Sequence, residues 1–445
     1  MTDPGPPRRP ATAESRPAAT ESRPAGGRIA GPARRFALMP ARDPSEPHRA
    51  STPLELLFDL VFVVAVAQAA SSLHHAIIEG HALTGLLSFV AVYFAIWWAW
   101  MNWTWFASAF DNDDVIFRLV TFVQMFGALI LAAGVSDAFS GDYRLVVVGY
   151  AVMRFAMVAQ WLRAAASNPM TRATALRFAG GVTVVQLLWM PRAAIPGVWA
   201  WVAFAALCAA ELAVPWWAER GRPTPWHPGH IGERHMLFAM IMLGEAVLAS
   251  TVAVRSGMAA GTPGVDLIVV SACGFVIVCV MWWLYNSRPA HGFLRGAARA
   301  FGWGYGHFFV FSSIAAFGAG LAAVVDVKDG AAGHFDALAV RGALTVPVAA
   351  FLVSVWAVHI RPHRPAGAVS ASYLAGAALV ALATFTPVPL ELTALVMIAT
   401  LAGAELGARR DPPPPPGRPA SPREGGEDGE DEAGVAGDAR EVQRE

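Results

Sequence analysis

Residues 52–76 read TPLELLFDLVFVVAVAQAASSLHHA, and this stretch decides the class of fold. Thr52 suits an N-cap, Pro53 the first helical position and Glu55 the N3 site of a capping box, so a helix begins here. Past Asp59 there is no ionisable side chain until His74. An apolar run of this length is enough to cross the ~30 Å hydrocarbon layer of a bilayer, which takes about 20 helical residues. Asp59 sits one turn beyond Glu55 on the same helix face, some 6 to 9 Å into the helix at about 1.5 Å per residue. There it needs a cation, a proton or hydrogen-bond donors. Two readings follow. The stacked carboxylates bind a cation or share a proton, or Asp59 pairs with an arginine at the same level, Arg118 or Arg234.

Working outward, the pattern repeats. Of 445 residues, 55% are hydrophobic and 15% charged, with a mean hydropathy of +0.45; soluble domains carry about 25% charged residues. Residues 1–52 and 408–445 hold 30 of the charged side chains, and the 355 residues between them hold 36. The zero net charge therefore combines a basic head, a balanced apolar body and an acidic tail. No folded basic patch is present, which argues against nucleic-acid binding. Cys208, Cys273 and Cys279 lie in apolar runs and form neither a disulfide framework nor a metal-binding pattern. The first apolar run starts too late for a cleavable signal peptide, so the first helix is expected to direct its own insertion.

Residues 1–52 are rich in Pro, Arg and Ala, and 408–445 pass from Pro412–Pro416 into EGGEDGEDE. Both are expected to be disordered tails. Between them, 53–407 form the transmembrane domain. It contains twelve apolar segments: 54–76, 82–107, 114–137, 143–164, 172–190, 194–217, 231–254, 264–286, 301–325, 337–360, 367–386 and 388–407. Pro387 and Pro389 leave almost no loop between the last two, which also fits a re-entrant pair. The expected fold is all-α, a polytopic bundle of about twelve transmembrane helices. With the N-terminus in the cytoplasm, the five inner loops carry twelve arginines and the six outer loops five basic residues. That bias places both termini in the cytoplasm of a multi-pass cell-membrane protein. Trp97-Trp98 in the second segment and Trp282-Trp283 in the eighth, with acids in the first and seventh, suit a six-plus-six parallel repeat.

Glu245 lies about fourteen residues into the seventh segment and Arg154 eleven into the fourth, both near the midplane. An ionisable group at that depth is a candidate functional site by default. The two are expected to face one polar cavity as a pair, whether as a structural clamp or as a proton or solute site. Glu55, Asp59, Arg154 and Glu245 are thus the candidate ion, solute or buried-charge residues. Gln68, Glu211 and His307 are weaker candidates, along with Gln124, Gln160 and Gln186, since such groups more often form interhelical hydrogen bonds. Asp111-Asn112-Asp113-Asp114 lacks the glycine and distal glutamate of a calcium loop; capping of the third helix explains it better. Trp97, Trp98, Trp100, Trp103 and Trp105 read as an interfacial aromatic belt. No nucleophile, zinc or nucleotide motif appears in a suitable setting, so no enzymatic activity, metal or cofactor is expected.

Several ordered motifs together resemble the bacterial low temperature requirement A family. They are Glu55-Leu56-Leu57-Phe58-Asp59-Leu60-Val61-Phe62 with Ala67-Gln68; Trp97-Trp98 leading to Phe110-Asp111, Asp113-Asp114 and Arg118; Glu233-Arg234 leading to Leu243-Gly244-Glu245; and Trp282-Trp283-Leu284-Tyr285 with Gly304-Tyr305 and His307. The resemblance covers about 54–407. Asn286 departs from it, where an aromatic residue and an acid would follow Tyr285. The resemblance implies a polytopic bacterial membrane protein linked to growth in the cold, and it supplies neither substrate nor reaction. The residues themselves suggest a transporter- or channel-like protein for a small solute or ion. The alternative is a non-transporting structural or interaction protein that supports the membrane at low temperature. The bilayer is the one partner implied.

Overall fold

A computed structural model describes residues 39–46, 49–192, 195–261, 264–288, 294, 296–328, 336–365 and 367–410. The remaining parts of both tails, 1–38 and 411–445, lie outside the described residues. Among the described residues the chain is helical without strands. The first half comprises α1 (Pro53–Ile78), α2 (Ala82–Phe110), α3 (Val115–Ala133), the short α4 (Val135–Phe139), α5 (Arg144–Ser167), α6 (Arg172–Arg192) and α7 (Val198–Ala218). The second comprises α8 (Pro228–Ala260), α9 (Gly264–Tyr285), α10 (Ala297–Lys328), α11 (Ala337–Val355), α12 (Gly367–Ala383) and α13 (Pro389–Arg410). Ten of these helices are long and apolar enough to cross a membrane. The chain is a multi-pass membrane protein.

Local chemistry sets the helix starts. Glu55 N–H donates to Thr52 Oγ1 (3.3 Å) and Thr52 N–H donates to the Glu55 carboxylate (2.7 Å), completing the capping box. Asp114 accepts from Phe117 N–H (2.8 Å) and caps α3, as expected for the acidic run. The third apolar segment is not one helix: it breaks at Gly134. A side chain there would collide with Leu145 and the Val146 backbone of α5. The last two segments form two helices, α12 and α13, packed on each other; α13 is long enough to span a bilayer and α12 is shorter.

The two halves share one order of neighbours. α1 packs on α2 and α3, α3 on α5, α5 on α6 and α6 on α7. Likewise α8 packs on α9 and α10, α10 on α11, α11 on α12 and α12 on α13. Corresponding pairs, α3–α5 and α10–α11, approach backbone to backbone. A Cβ at Gly127 of α3 would lie 2.8 Å from the Gly149 carbonyl of α5, and one at Gly320 of α10 would lie 2.1 Å from the Ala343 carbonyl of α11. Glycine at such crossings lets backbones meet, as in other membrane bundles. The halves join where α1 meets α8 and α10.

One expectation is corrected. The tryptophans of α2 are not an interfacial belt. Trp97, Trp98, Trp100 and Trp103 are at most 2% exposed and Trp105 is 9% exposed, because α2 runs through the centre and touches α8 and α10. Trp103 stacks on Phe58 (centroids 3.8 Å apart) and Trp100 on Phe238 (4.3 Å). Trp282 and Trp283 of α9, by contrast, are exposed, on an outer surface that includes Leu60, Phe126 and Ile268 and suits contact with lipid. Within 1–52, the described residues near Met39 and Arg49 pack across the end of the bundle where α1 begins. Met39 N–H donates to Ser167 Oγ (2.9 Å), and Arg49 donates to the Ala107 (2.8 Å) and Ser108 carbonyls. A cation bonded to the last carbonyls of α2 is the favourable arrangement at a helix C-terminus.

Candidate functional site

The end of the bundle at the start of α1 is closed by buried charges. Asp59 accepts a hydrogen bond from Trp100 Nε1 (2.7 Å) and forms an ion pair with Arg234 of α8 (2.5 Å). Arg234 also lies over the Trp103 ring, 5.6 Å from its centroid. Of the two arginines suggested by sequence, Arg234 is the partner; Arg118 pairs with Asp113 (2.5 Å) at the surface. One turn nearer the end, Glu55 meets His230 of α8 (3.1 Å) and approaches Arg49 (3.8 Å). Glu55, Asp59, His230 and Arg234 are all fully buried. They tie the first helix of one half to the first helix of the other.

Asp111, beyond the end of α2, belongs to the same face. It is buried, and its Oδ1 accepts from Asp113 N–H (2.8 Å). Burial and then the nearby Glu55 charge push its carboxyl up to about 7, against the opposing pull of that hydrogen bond and of Arg49. Asp114, outside α3, is held below its usual range: burial pushes its carboxyl up most strongly of any one cause, but the hydrogen bonds from Arg163, Phe117 N–H and Asn112, with the Arg163 charge, together outweigh it.

A second charge cluster lies within the first half. Glu211 of α7 accepts hydrogen bonds from Trp98 Nε1 (2.9 Å), Tyr150 Oη (2.9 Å) and Arg154 (2.6 Å). The expected Glu245–Arg154 pair therefore does not form. Counting residues places both at similar depth, but depth says nothing about direction around the helix axis. Arg154 faces α7, whereas Glu245 faces α1 and α10.

Glu245 instead lines a cavity of about 430 Å³ between α1, α8 and α10. Its polar wall contains Gln68, Ser71, His74, Glu245 and Asp326, with His74 Nε2 and Asp326 Oδ2 2.8 Å apart. Each helix contributes one face, as Ala70 and His74 of α1, Glu245 and Ala249 of α8, and Ala315 and Ala319 of α10 illustrate by their four-residue spacing. The cavity lies toward the end opposite the Asp59–Arg234 pair. Between the two levels, Phe62, Met242, Phe238 and Phe311 are buried.

The remaining weaker candidates divide. Gln68 joins the cavity, and Glu211 the ion pair with Arg154. His307 belongs to a buried group in which its Nε2 lies 3.1 Å from both Tyr285 Oη and His359 Nε2, with the His235 ring 4.8 Å away. Gln160 Nε2 donates to the Phe117 carbonyl (3.3 Å), and Gln124 and Gln186 are buried. Sequence reading missed His230, His235, His359, His74 and Asp326. The π turn at Trp356–Ile360 that places His359 leaves no compositional trace. His230 and His235 flank the Glu233-Arg234 motif, and that adjacency was the available signal.

Comparison with known proteins places these features in a family. The family model described as "Bacterial low temperature requirement A protein (LtrA)" matches residues 50–404. An uncharacterized protein of Rhizobium meliloti (strain 1021) is similar, 29% identical over 247 residues, a stretch covering 53% of this chain and 58% of that relative. This chain thus aligns with less than two thirds of the relative's length. No solved structure matches the chain. With its helical body matched across 50–404, the chain belongs to the bacterial low temperature requirement A family.

Proposed function

We propose that this protein is a carrier or channel for a small solute or ion in the cell membrane, with both termini in the cytoplasm and a role in growth at low temperature. The observation that carries this reading is the cavity of about 430 Å³ lined by Glu245, whose carboxylate makes no hydrogen bond or ion pair with another described residue. Glu245 is half-buried, and a carboxylate without a partner at membrane depth is costly unless water or a ligand reaches it. The arginine bias of the loops makes the cavity face outward. The Asp59–Arg234 and Glu55–His230 contacts then seal the cytoplasmic side, and the shared neighbour order of the two halves suits rocking of one half against the other. No chemical transformation is assigned to the protein.

The test is flux into liposomes containing the purified protein, followed across a panel of ions and small solutes with and without a pH gradient. Wild type is expected to give saturable flux. Glu245→Gln is expected to lower it by about tenfold, the effect of losing one contact of ~1.4 kcal/mol, while the protein stays folded and monodisperse. Absence of flux across the panel would favour the alternative class, a structural or interaction protein in which the buried charges only clamp helices.

A further inference from the structure

We infer that the cavity between α1, α8 and α10 binds a monovalent organic cation, an ammonium head on an apolar body, with the head at Glu245. This deepens the transport reading of the same cavity and rests on it for the access of water to the site.

The sign of the ligand follows from the lining. Among the described residues no lysine or arginine lines the cavity, whereas two carboxylates do. Asp326 is engaged by His74 at 2.8 Å, which leaves Glu245 as the carboxylate with no counter-charge among the described residues. An anion would meet only repulsion from Glu245, and a neutral solute would leave it unpaired. A bare metal ion fits poorly as well. Calcium takes six to eight oxygen ligands and magnesium a near-ideal octahedron, and among the described residues no group of three or more His, Cys, Asp or Glu converges to hold one.

The shape follows from the walls. Apart from the polar groups, the lining is Ala, Val, Leu, Met and Gly. The α10 wall is a file of small residues, Ala315, Gly318, Ala319 and Ala322, ending at Asp326. Small side chains there keep the space open. At about 1.5 Å per residue, the α1 wall from Val66 to His74 rises about 12 Å. The volume lies within the range of small-molecule sites, about 300–1,000 Å³, and exceeds what a dehydrated ion needs. An ammonium on Glu245 with its apolar part along Ala319 and Ala322 uses both the charge and the walls.

The probe is benzyltrimethylammonium, titrated calorimetrically into the detergent-solubilised full chain at fixed ionic strength, with benzyl alcohol and sodium chloride as controls. Wild type is expected to bind the probe saturably and neither control. Glu245→Gln is expected to weaken binding by about tenfold or more. Should that variant misfold, Ala319→Phe, which fills the cavity from the opposite wall without touching a charge, is expected to abolish binding. No saturable binding by wild type, unchanged binding by both variants, or equal binding of benzyl alcohol would overturn the inference. Flux of some other solute by a protein that does not bind the probe would overturn the inference and leave the transport reading standing. Binding in a protein without flux would support the cation site and overturn the transport reading.

Discussion

Asp59→Ala is expected to destabilise the protein by about 3–5 kcal/mol, the cost of leaving one member of a buried ion pair unpaired. The carboxylate accepts hydrogen bonds from both Arg234 and Trp100, and all three side chains are fully buried. Its removal leaves the buried guanidinium over the Trp103 ring without its hydrogen-bonded carboxylate. The loss should appear as a large drop in the melting temperature of the detergent-solubilised protein and in membrane yield. Asp59→Leu combined with Arg234→Met is expected to recover most of the stability, because a buried pair replaced by apolar groups is often neutral. If the pair is also the inner seal, the recovered double variant should leak in the liposome assay. Recovered stability with unchanged flux would assign the pair to clamping alone. A single variant as stable as wild type would contradict the pairing.

Gly320→Val is expected to be comparably damaging for a different reason. A Cβ at Gly320 would lie 2.1 Å from the Ala343 carbonyl oxygen and 2.5 Å from its carbon. These are backbone atoms of α11, so the collision cannot be relieved by rotating a side chain. The helices must separate, at a cost of about 3 kcal/mol, the upper part of the range for overpacking. Gly180→Ala in α6 is the control. Nothing lies within 4 Å of a Cβ there, and exchanging Gly for Ala in a helix gains up to about 1 kcal/mol. Thermal melts of both variants check the contrast. Equal melting temperatures would contradict the close α10–α11 crossing.

Much of this architecture is legible in the residues. Thr52, Pro53 and Glu55 announce the start of α1, Asp114 announces α3, and the apolar lengths mark the helices to within a few residues. Interfaces are less legible, because in a bilayer both the lipid face and the packed face are apolar. Hence the tryptophans of α2 read as a belt although they are core, and nothing in their composition separates them from the exposed Trp282 and Trp283. Arg154 and Glu245 show the same limit for charges. Each was recognisable as lying at membrane depth, but the partner of Arg154 is Glu211, because helix–helix orientation and not depth decides which groups meet. Asp59 and Arg234 were more tractable, since each lies about one and a half turns into the first helix of its half. The segment around Met39 and Arg49 looks like tail by composition, yet single backbone and guanidinium contacts at helix ends hold it, and these have no periodic signature.

The central claim is that an aqueous cavity reaches Glu245 from the outer side while the opposite end is sealed. Cysteine labelling in intact cells tests it most directly, in a background with Cys208, Cys273 and Cys279 replaced. Ala249→Cys, on the cavity wall one turn from Glu245, is expected to react with a membrane-impermeant thiol reagent added outside. Ser45→Cys, exposed at the opposite end, is expected to react only after the cells are permeabilised. Labelling of Ser45→Cys in intact cells, or no labelling of Ala249→Cys from outside even in a folded protein, would contradict the account.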